Sequence, residues 1–170
     1  GTAITTGDNN TGIGRYALKG STTGSNNVAV GTDSLASNTT ADNNTALGYN
    51  TLFTNTTGAR NNALGSSALA ATTTGDDNTA LGGFSLSTNT TGSDNTAVGS
   101  YALNKSTTAS NNTAVGYLSL FENTTGTRNI AVGSLALGSS TVGQYNIGIG
   151  YGALYANTTA SHRSKYNWRV

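Results

Sequence analysis

The chain has 170 residues and a formal net charge of +1, and only 9% of its residues are charged. Eight basic and seven acidic residues leave no basic patch for nucleic acid, and no apolar run is long enough for membrane insertion, so we expect neither partner. The absence of cysteine excludes disulfides and thiolate metal sites.

A repeat of seventeen residues runs through the chain without an insertion or a deletion. We number its positions from 1 to 17, starting at the Asn that opens each turn, so that Gly stands at position 5 and Leu at position 9. Two clear copies of this ladder are Asn44, Gly48 and Leu52, and Asn112, Gly116 and Leu120. A fixed period means that one structural unit stacks on copies of itself.

The first predicted element of each turn is a short strand that runs from the Asn to the Gly. Position 4 is aliphatic in every turn, from Ile13 to Ile149, which favours a strand. Because neighbouring strand residues face opposite sides, we expect position 4 to face the core and position 3 to face outward. Position 3 is Ala or Gly in all nine turns, so we expect it to pack against another copy of the chain.

The second predicted element is an extended piece anchored by the Leu at position 9. A corner follows at position 15, where Ala41 and Ala109 replace Gly and argue against a positive φ. Helices are disfavoured because each turn contains several Gly, Asn and Thr residues. The expected fold is therefore all-β, a parallel β-solenoid of nine turns and roughly 43 Å, with the Asn column stacked at a corner. Since so thin a coil buries little apolar surface, we expect a homotrimer.

The repeat ends near residue 160. Arg163 and Asn167 stand where the period requires Asn and Gly. We therefore divide the chain into a repeat array over 1–160 and an irregular C-terminal tail or cap over 161–170. His162, the single histidine, lies in this tail with no nucleophile placed to use it.

Two segments carry a family resemblance: NNTALGYNTLFTNTTG at 43–58 and NNTAVGYLSLFENTTG at 111–126. They resemble the repeats of phage tail fibres and related surface fibres and, more distantly, the head repeats of trimeric autotransporter adhesins. The resemblance covers residues 1–160. It implies a trimeric parallel β-roll that acts as a structural and adhesive segment of an extracellular or virion fibre and binds a cell surface. A self-assembling extracellular filament and a bacterial surface adhesin are alternatives that use the same coil.

Aromatic residues occupy the variable positions of the repeat and are candidates for contact with a cell-surface glycan, because aromatic faces can stack on sugar rings. The same residues could instead cover the joints between turns or chains. The candidate ligand contacts are Tyr151, Tyr155 and Trp168, and the other aromatics at variable positions are Tyr16, Tyr49, Phe53, Phe84, Tyr101, Tyr117 and Phe121.

The Asn-Thr-Thr segments carry two further hypotheses. They form glycosylation sequons, all at position 12, at Asn38, Asn55, Asn89, Asn123 and Asn157. The alternative is that these segments only form corners. Their paired Thr columns also suggest an ice-binding solenoid as a weaker alternative, although adjacent strand residues face opposite ways and do not form a two-rank Thr face.

We do not expect an enzyme. Asp76, Asp77 and Asp94 lie in adjacent turns and could bind a cation or form a carboxylate pair, but corner carboxylates of this kind are commonly solvated. No phosphate-binding loop is present, because the glycines belong to the repeat. The expected sites therefore include no catalytic residue, no metal and no cofactor.

Overall fold

The computed structural model describes residues 6–167, and it confirms the all-β parallel β-solenoid of nine turns. Ten three-residue strands form one parallel sheet in the order of the chain, each paired with the strand seventeen residues away. No helix long or apolar enough to cross a membrane is found within 6–167. The strands are β1 Thr11–Ile13, β2 Val28–Val30, β3 Thr45–Leu47, β4 Asn62–Leu64, β5 Thr79–Leu81, β6 Thr96–Val98, β7 Thr113–Val115, β8 Ile130–Val132, β9 Ile147–Ile149 and β10 Ser164–Tyr166.

The Asn column at position 1 closes each turn and joins it to its neighbour, as predicted. The side chain of Asn44 donates from Nδ2 to the carbonyl of Gly58 at 2.9 Å, which links the two ends of one turn. Its Oδ1 accepts the backbone N–H of Asn61 in the next turn at 2.9 Å. Asn44 and Asn61 are both fully buried. The amide therefore satisfies backbone groups that the interior of the coil removes from water.

The strands face the opposite way from the prediction. Position 3 is buried in the core from Ala29 to Gly148 and is exposed only in the first turn, at Gly12, whereas the aliphatic residues at position 4 lie on the outside. The cause is the width of the coil, because position 3 faces the Leu of position 9. A Cβ added at Gly12 would lie 3.4 Å from Cδ1 of Leu18. Only Ala or Gly fits there, so the small residue is a core residue and does not mark a contact with another chain.

Leu at position 9 does not belong to a second extended piece, which corrects that expectation. All nine of these residues lie in turns with φ between 47° and 54°, from Leu35 to Leu18. This left-handed conformation is costly for a residue with a branched side chain. The stacked Leu column is the centre of the hydrophobic core, together with small residues at positions 3 and 8. Eight of these Leu residues, from Leu18 to Leu137, are fully buried, and Leu154 is partly buried against the same core.

Gly at position 5 makes the corner that follows each strand. Its φ lies between 108° and 136°, a region that residues with a Cβ rarely adopt. A Cβ added at Gly82 would also lie 2.7 Å from the carbonyl carbon of Gly99 in the next turn. The period of Gly is thus a requirement of both conformation and stacking. At position 15, φ is not positive, as Ala41 and Ala109 predicted.

The described part of the tail, 161–167, continues the coil instead of leaving it irregularly. The strand β10 pairs in register with β9, and the N–H of Arg163 donates to Oδ1 of Asn146 at 2.9 Å. Lys165 stands at position 3, where the earlier turns have Ala or Gly. A further turn stacked on it would bury its charge without a partner, which is costly. Residues 161–167 therefore suit the role of a cap.

Candidate functional site

The outside of the sheet is one candidate surface, which we call the outer sheet face and define as positions 2 and 4 of strands β1–β9. None of its eighteen residues is charged. Four residues at position 4 are exposed, among them Leu64 at 50% and Val132 at 37%, and the other five are partly exposed. The parallel register places these side chains in two straight rows along the rod. Aliphatic rows that face solvent are typical of an interaction surface.

A second part of each turn, positions 6, 7, 10 and 11, is the other candidate surface, and we call it the turn side. Here residue type varies from turn to turn, and aromatic rings pack across turns. The rings of Phe84 and Tyr101 stack with their centroids 5.2 Å apart, and Phe121 meets Tyr101 edge-on at 6.5 Å. Lys105 lies 5.0 Å from the ring centroid of Phe121 and pairs with Glu122 at 2.8 Å. These contacts agree with the hypothesis that aromatics cover joints between turns.

Two notches interrupt the turn side, each where position 10 is small and the next turn has an aromatic ring at that position. The first notch has a volume of about 400 Å³ and is lined by Tyr16, Lys19, Gly20, Asp33, Ala36, Ser37 and Phe53. The second notch has a volume of about 210 Å³ and is lined by Leu118, Phe121, Glu122, Leu135, Gly138, Ser139 and Tyr155. Ligand pockets usually measure about 300–1,000 Å³, so the first notch is large enough for a small ligand and the second is not.

The structure separates the residues predicted to contact a ligand. Tyr151 is 62% exposed at position 6 and lines neither notch. Tyr155 is 48% exposed and closes the second notch, where its ring lies over Gly138. Trp168 lies outside the described residues. The first notch was not singled out by sequence reasoning; the available signal was the small Ala36 between Lys19 and Phe53 in the position 10 column.

The folded coil does not favour the glycosylation hypothesis, which stays a prediction. Asn38, Asn55, Asn89 and Asn123 are fully buried, and Asn157 is partly buried. In all five, the Nδ2 atom that would carry a glycan donates to the backbone carbonyl three residues later, as in Asn55 to Gly58 at 2.8 Å. Position 12 is therefore an inner corner, as the alternative interpretation held.

The paired Thr columns do not form an exposed array. At position 13, the hydroxyl donates to the backbone carbonyl of the equivalent Thr in the next turn, as in Thr56 to Thr73 at 3.0 Å. From Thr22 to Thr141 these residues are only partly exposed, whereas their neighbours at position 14 face solvent. One hydroxyl of each pair is thus used to join the turns, and a two-rank Thr surface is absent from these positions.

The carboxylates at the corner are occupied by hydrogen bonds. Asp77 accepts from Nε and Nη2 of Arg60 at 2.7 and 2.8 Å, and this contact holds the pKa of the Asp77 carboxyl below its ordinary value. Oδ1 of Asp76 accepts the backbone N–H of Ala59 at 2.7 Å. Over the described residues, no group of three or more His, Cys, Asp or Glu side chains could hold a metal ion. The absence of enzymatic activity stays a prediction.

Comparisons of the chain with protein-family models, with curated proteins and with solved structures find no match. The two candidate surfaces therefore rest on the geometry of this chain alone.

Proposed function

We propose that the chain is a structural and adhesive segment of an extracellular or virion fibre, in which copies associate as a homotrimer and the rod binds a cell surface. The observation that carries this proposal is the outer sheet face. Nine aliphatic side chains at position 4 line one side of the rod, and no charge interrupts them. Side-by-side contact with sister chains would remove these residues from water.

The regularity of the coil supports the structural part of the proposal. Each turn repeats the hydrogen bonds of the Asn at position 1, the Gly corner and the strand pairing, so the chain forms a rod of roughly 43 Å. A rod of fixed length that carries variable residues on one side suits a fibre that holds binding groups away from its base. A self-assembling filament and a bacterial surface adhesin remain alternatives with the same architecture.

Sedimentation equilibrium tests the association. We expect the mass of three chains over a wide range of protein concentration. A folded chain that sediments as a monomer at every concentration would contradict the trimer.

Imaging of native particles tests the location. Rods that end on a virion, on a cell or on one another identify the fibre, the adhesin and the filament respectively. Retention of the labelled chain on cells tests adhesion independently.

Ice binding is a second candidate function, and the outer sheet face is the observation that favours it. Position 2 is Thr in five turns, among them Thr79, Thr96 and Thr113, and it lies in a straight row beside the aliphatic row. The rows repeat at about 4.8 Å along the rod, which gives a regular array of methyl and hydroxyl groups. A thermal-hysteresis measurement tests this function, and a freezing point equal to the melting point would exclude it.

A further inference from the structure

We propose that the first notch is a saccharide-binding site, in which Phe53 supplies a stacking face and Asp33 and Lys19 bind vicinal hydroxyls. This inference rests on the adhesive function proposed above and names its ligand class. The notch, about 400 Å³ in volume, spans three consecutive turns of the turn side.

The notch exists because one side chain is small. At position 10, Lys19, Ala36 and Phe53 follow one another in adjacent turns. Ala36 leaves a gap between its larger neighbours, and the gap is open to solvent at the side of the rod. In the second notch Gly138 stands in the same place, but the ring of Tyr155 leans over it, since a Cβ added at Gly138 would lie 3.0 Å from Cε2 of that ring. The first notch is the larger of the two, at about 400 Å³ against about 210 Å³.

The walls of the notch have the chemistry that a pyranose ring requires. Such a ring has an apolar C–H face and an edge of hydroxyls, each of which can donate and accept a hydrogen bond. Phe53 is partly exposed, and within 6–167 it takes part in no ring stacking or cation–π contact, whereas Phe121 in the second notch contacts both Tyr101 and Lys105. The ring of Phe53 is therefore the available stacking face.

The charged groups of the notch do not pair with each other. Across the described turns, neither Lys19 nor Asp33 forms a salt bridge within 4.0 Å. Lys19 can donate to one hydroxyl oxygen, and Asp33 can accept from the neighbouring hydroxyl. Charge-assisted hydrogen bonds of this kind are stronger than those between neutral groups, and they give the site its preference for a ligand with adjacent hydroxyls.

The ring of Tyr16 forms the remaining wall and is held in place. Nη2 of Arg15 donates to the Tyr16 hydroxyl at 3.0 Å, and the guanidinium carbon of Arg15 lies 4.5 Å from the centroid of the Tyr16 ring. Lys19 lies 4.9 Å from the same centroid. A wall that is already ordered loses little side-chain entropy when a ligand binds.

The test uses the whole chain and saturation-transfer NMR with a panel of neutral hexose oligosaccharides as probes. We expect at least one to bind, and we expect Ala36→Phe to weaken it at least about tenfold because the new ring fills the notch. Phe already occupies position 10 at Phe53 and Phe121, so the coil accepts this substitution. Phe53→Ala and Asp33→Asn should weaken the same probe, and Tyr49→Ala is the matched control, since Tyr49 is an exposed aromatic that lines neither notch.

The outcomes separate this proposal from the proposed function. Loss of binding in Ala36→Phe with full binding in Tyr49→Ala supports the site. Equal binding by the wild type and Ala36→Phe overturns it, as does the failure of every probe to bind the wild type. In either of those cases the adhesive function is judged separately, by whether the labelled chain still binds cells.

Discussion

The outer sheet face and the turn side are built on the same backbone repeat, yet they differ in the residue types that occur on them. Over nine turns the sheet face accepts Thr, Asn and aliphatic residues and no charge. The turn side accepts Arg15, Asp33, Tyr49, Lys105 and Glu122. Both surfaces face solvent in the single chain, so burial in the coil does not explain the restriction on one of them.

This difference indicates what each surface contacts. A restriction repeated in every turn fits a partner that runs along the whole rod, such as a second copy of the chain. Variation from turn to turn fits ligands that contact one or two turns, such as the saccharide proposed for the first notch.

The largest effect is expected in the core. Leu86→Ala should lower the free energy of unfolding by about 2–5 kcal/mol, because Leu86 is fully buried and the stacked turns cannot close the cavity. Urea denaturation measures this loss. Leu81→Ala on the outer sheet face is the matched variant: Leu81 is 38% exposed, so its effect should act through association and grow with protein concentration. An equal effect of both variants at all concentrations would contradict the assigned strand orientation.

The next effect separates the two surfaces directly. Val98→Lys should weaken association of the chain at least about tenfold, since it places a charge within the aliphatic row of every copy. Sedimentation velocity measures the change. Ser100→Lys is the control, because Ser100 lies in the same turn beyond the Gly corner, at the position that Arg15 occupies in the first turn. Dissociation by both variants would show that the contact is not confined to the sheet face.

A smaller effect concerns two buried threonines on the inside of the coil. Oγ1 of Thr51 donates to the carbonyl of Gly65 at 2.9 Å, whereas Oγ1 of Thr72 has no hydrogen-bond partner. Thr51→Val should therefore destabilise the chain by about 1 kcal/mol, and Thr72→Val, which removes an unpaired buried hydroxyl, should be neutral or stabilising. Thermal unfolding of both variants measures the difference, and equal losses would contradict the assigned hydrogen bonds.

The smallest effect is expected at the exposed pair of Arg60 and Asp77, whose side chains are 55% and 42% exposed. Because the pKa of Asp77 is lowered in the folded chain, its contribution to stability is present above the unfolded pKa and disappears as the pH falls through the folded pKa. Asp77→Asn should therefore be slightly less stable than wild type at neutral pH and equal to it in acid. Solvent screening keeps the difference small. Arg60→Gln should reproduce it, and a difference that persists in acid would exclude the ion pair as its cause.

Much of the fold was predictable because, in a solenoid, residues one period apart in the sequence are in contact in the structure. The stacking of Asn44 on its neighbours and the parallel register of the strands follow from identical residues at a fixed interval. Corners were predicted at the Asn column and at position 15, whereas the corner at Gly48 is seen only in the structure. The first notch was not predicted. The small Ala36 between Lys19 and Phe53 is visible in the position 10 column, but the column does not show which neighbouring side chains line the gap.

The repeat, the strand in each turn and the ladder that joins the turns can be read from the amino-acid sequence. The side of the strand that faces inward depends on how the coil closes, because alternation allows both orientations and the larger aliphatic residue was expected in the core. The width of the coil reverses that preference: Leu fills the interior, and only Ala or Gly fits opposite it. In the closed coil, Asn38 and Asn55 of the sequons are buried. The aliphatic row lies on the surface, where we propose that sister chains bind.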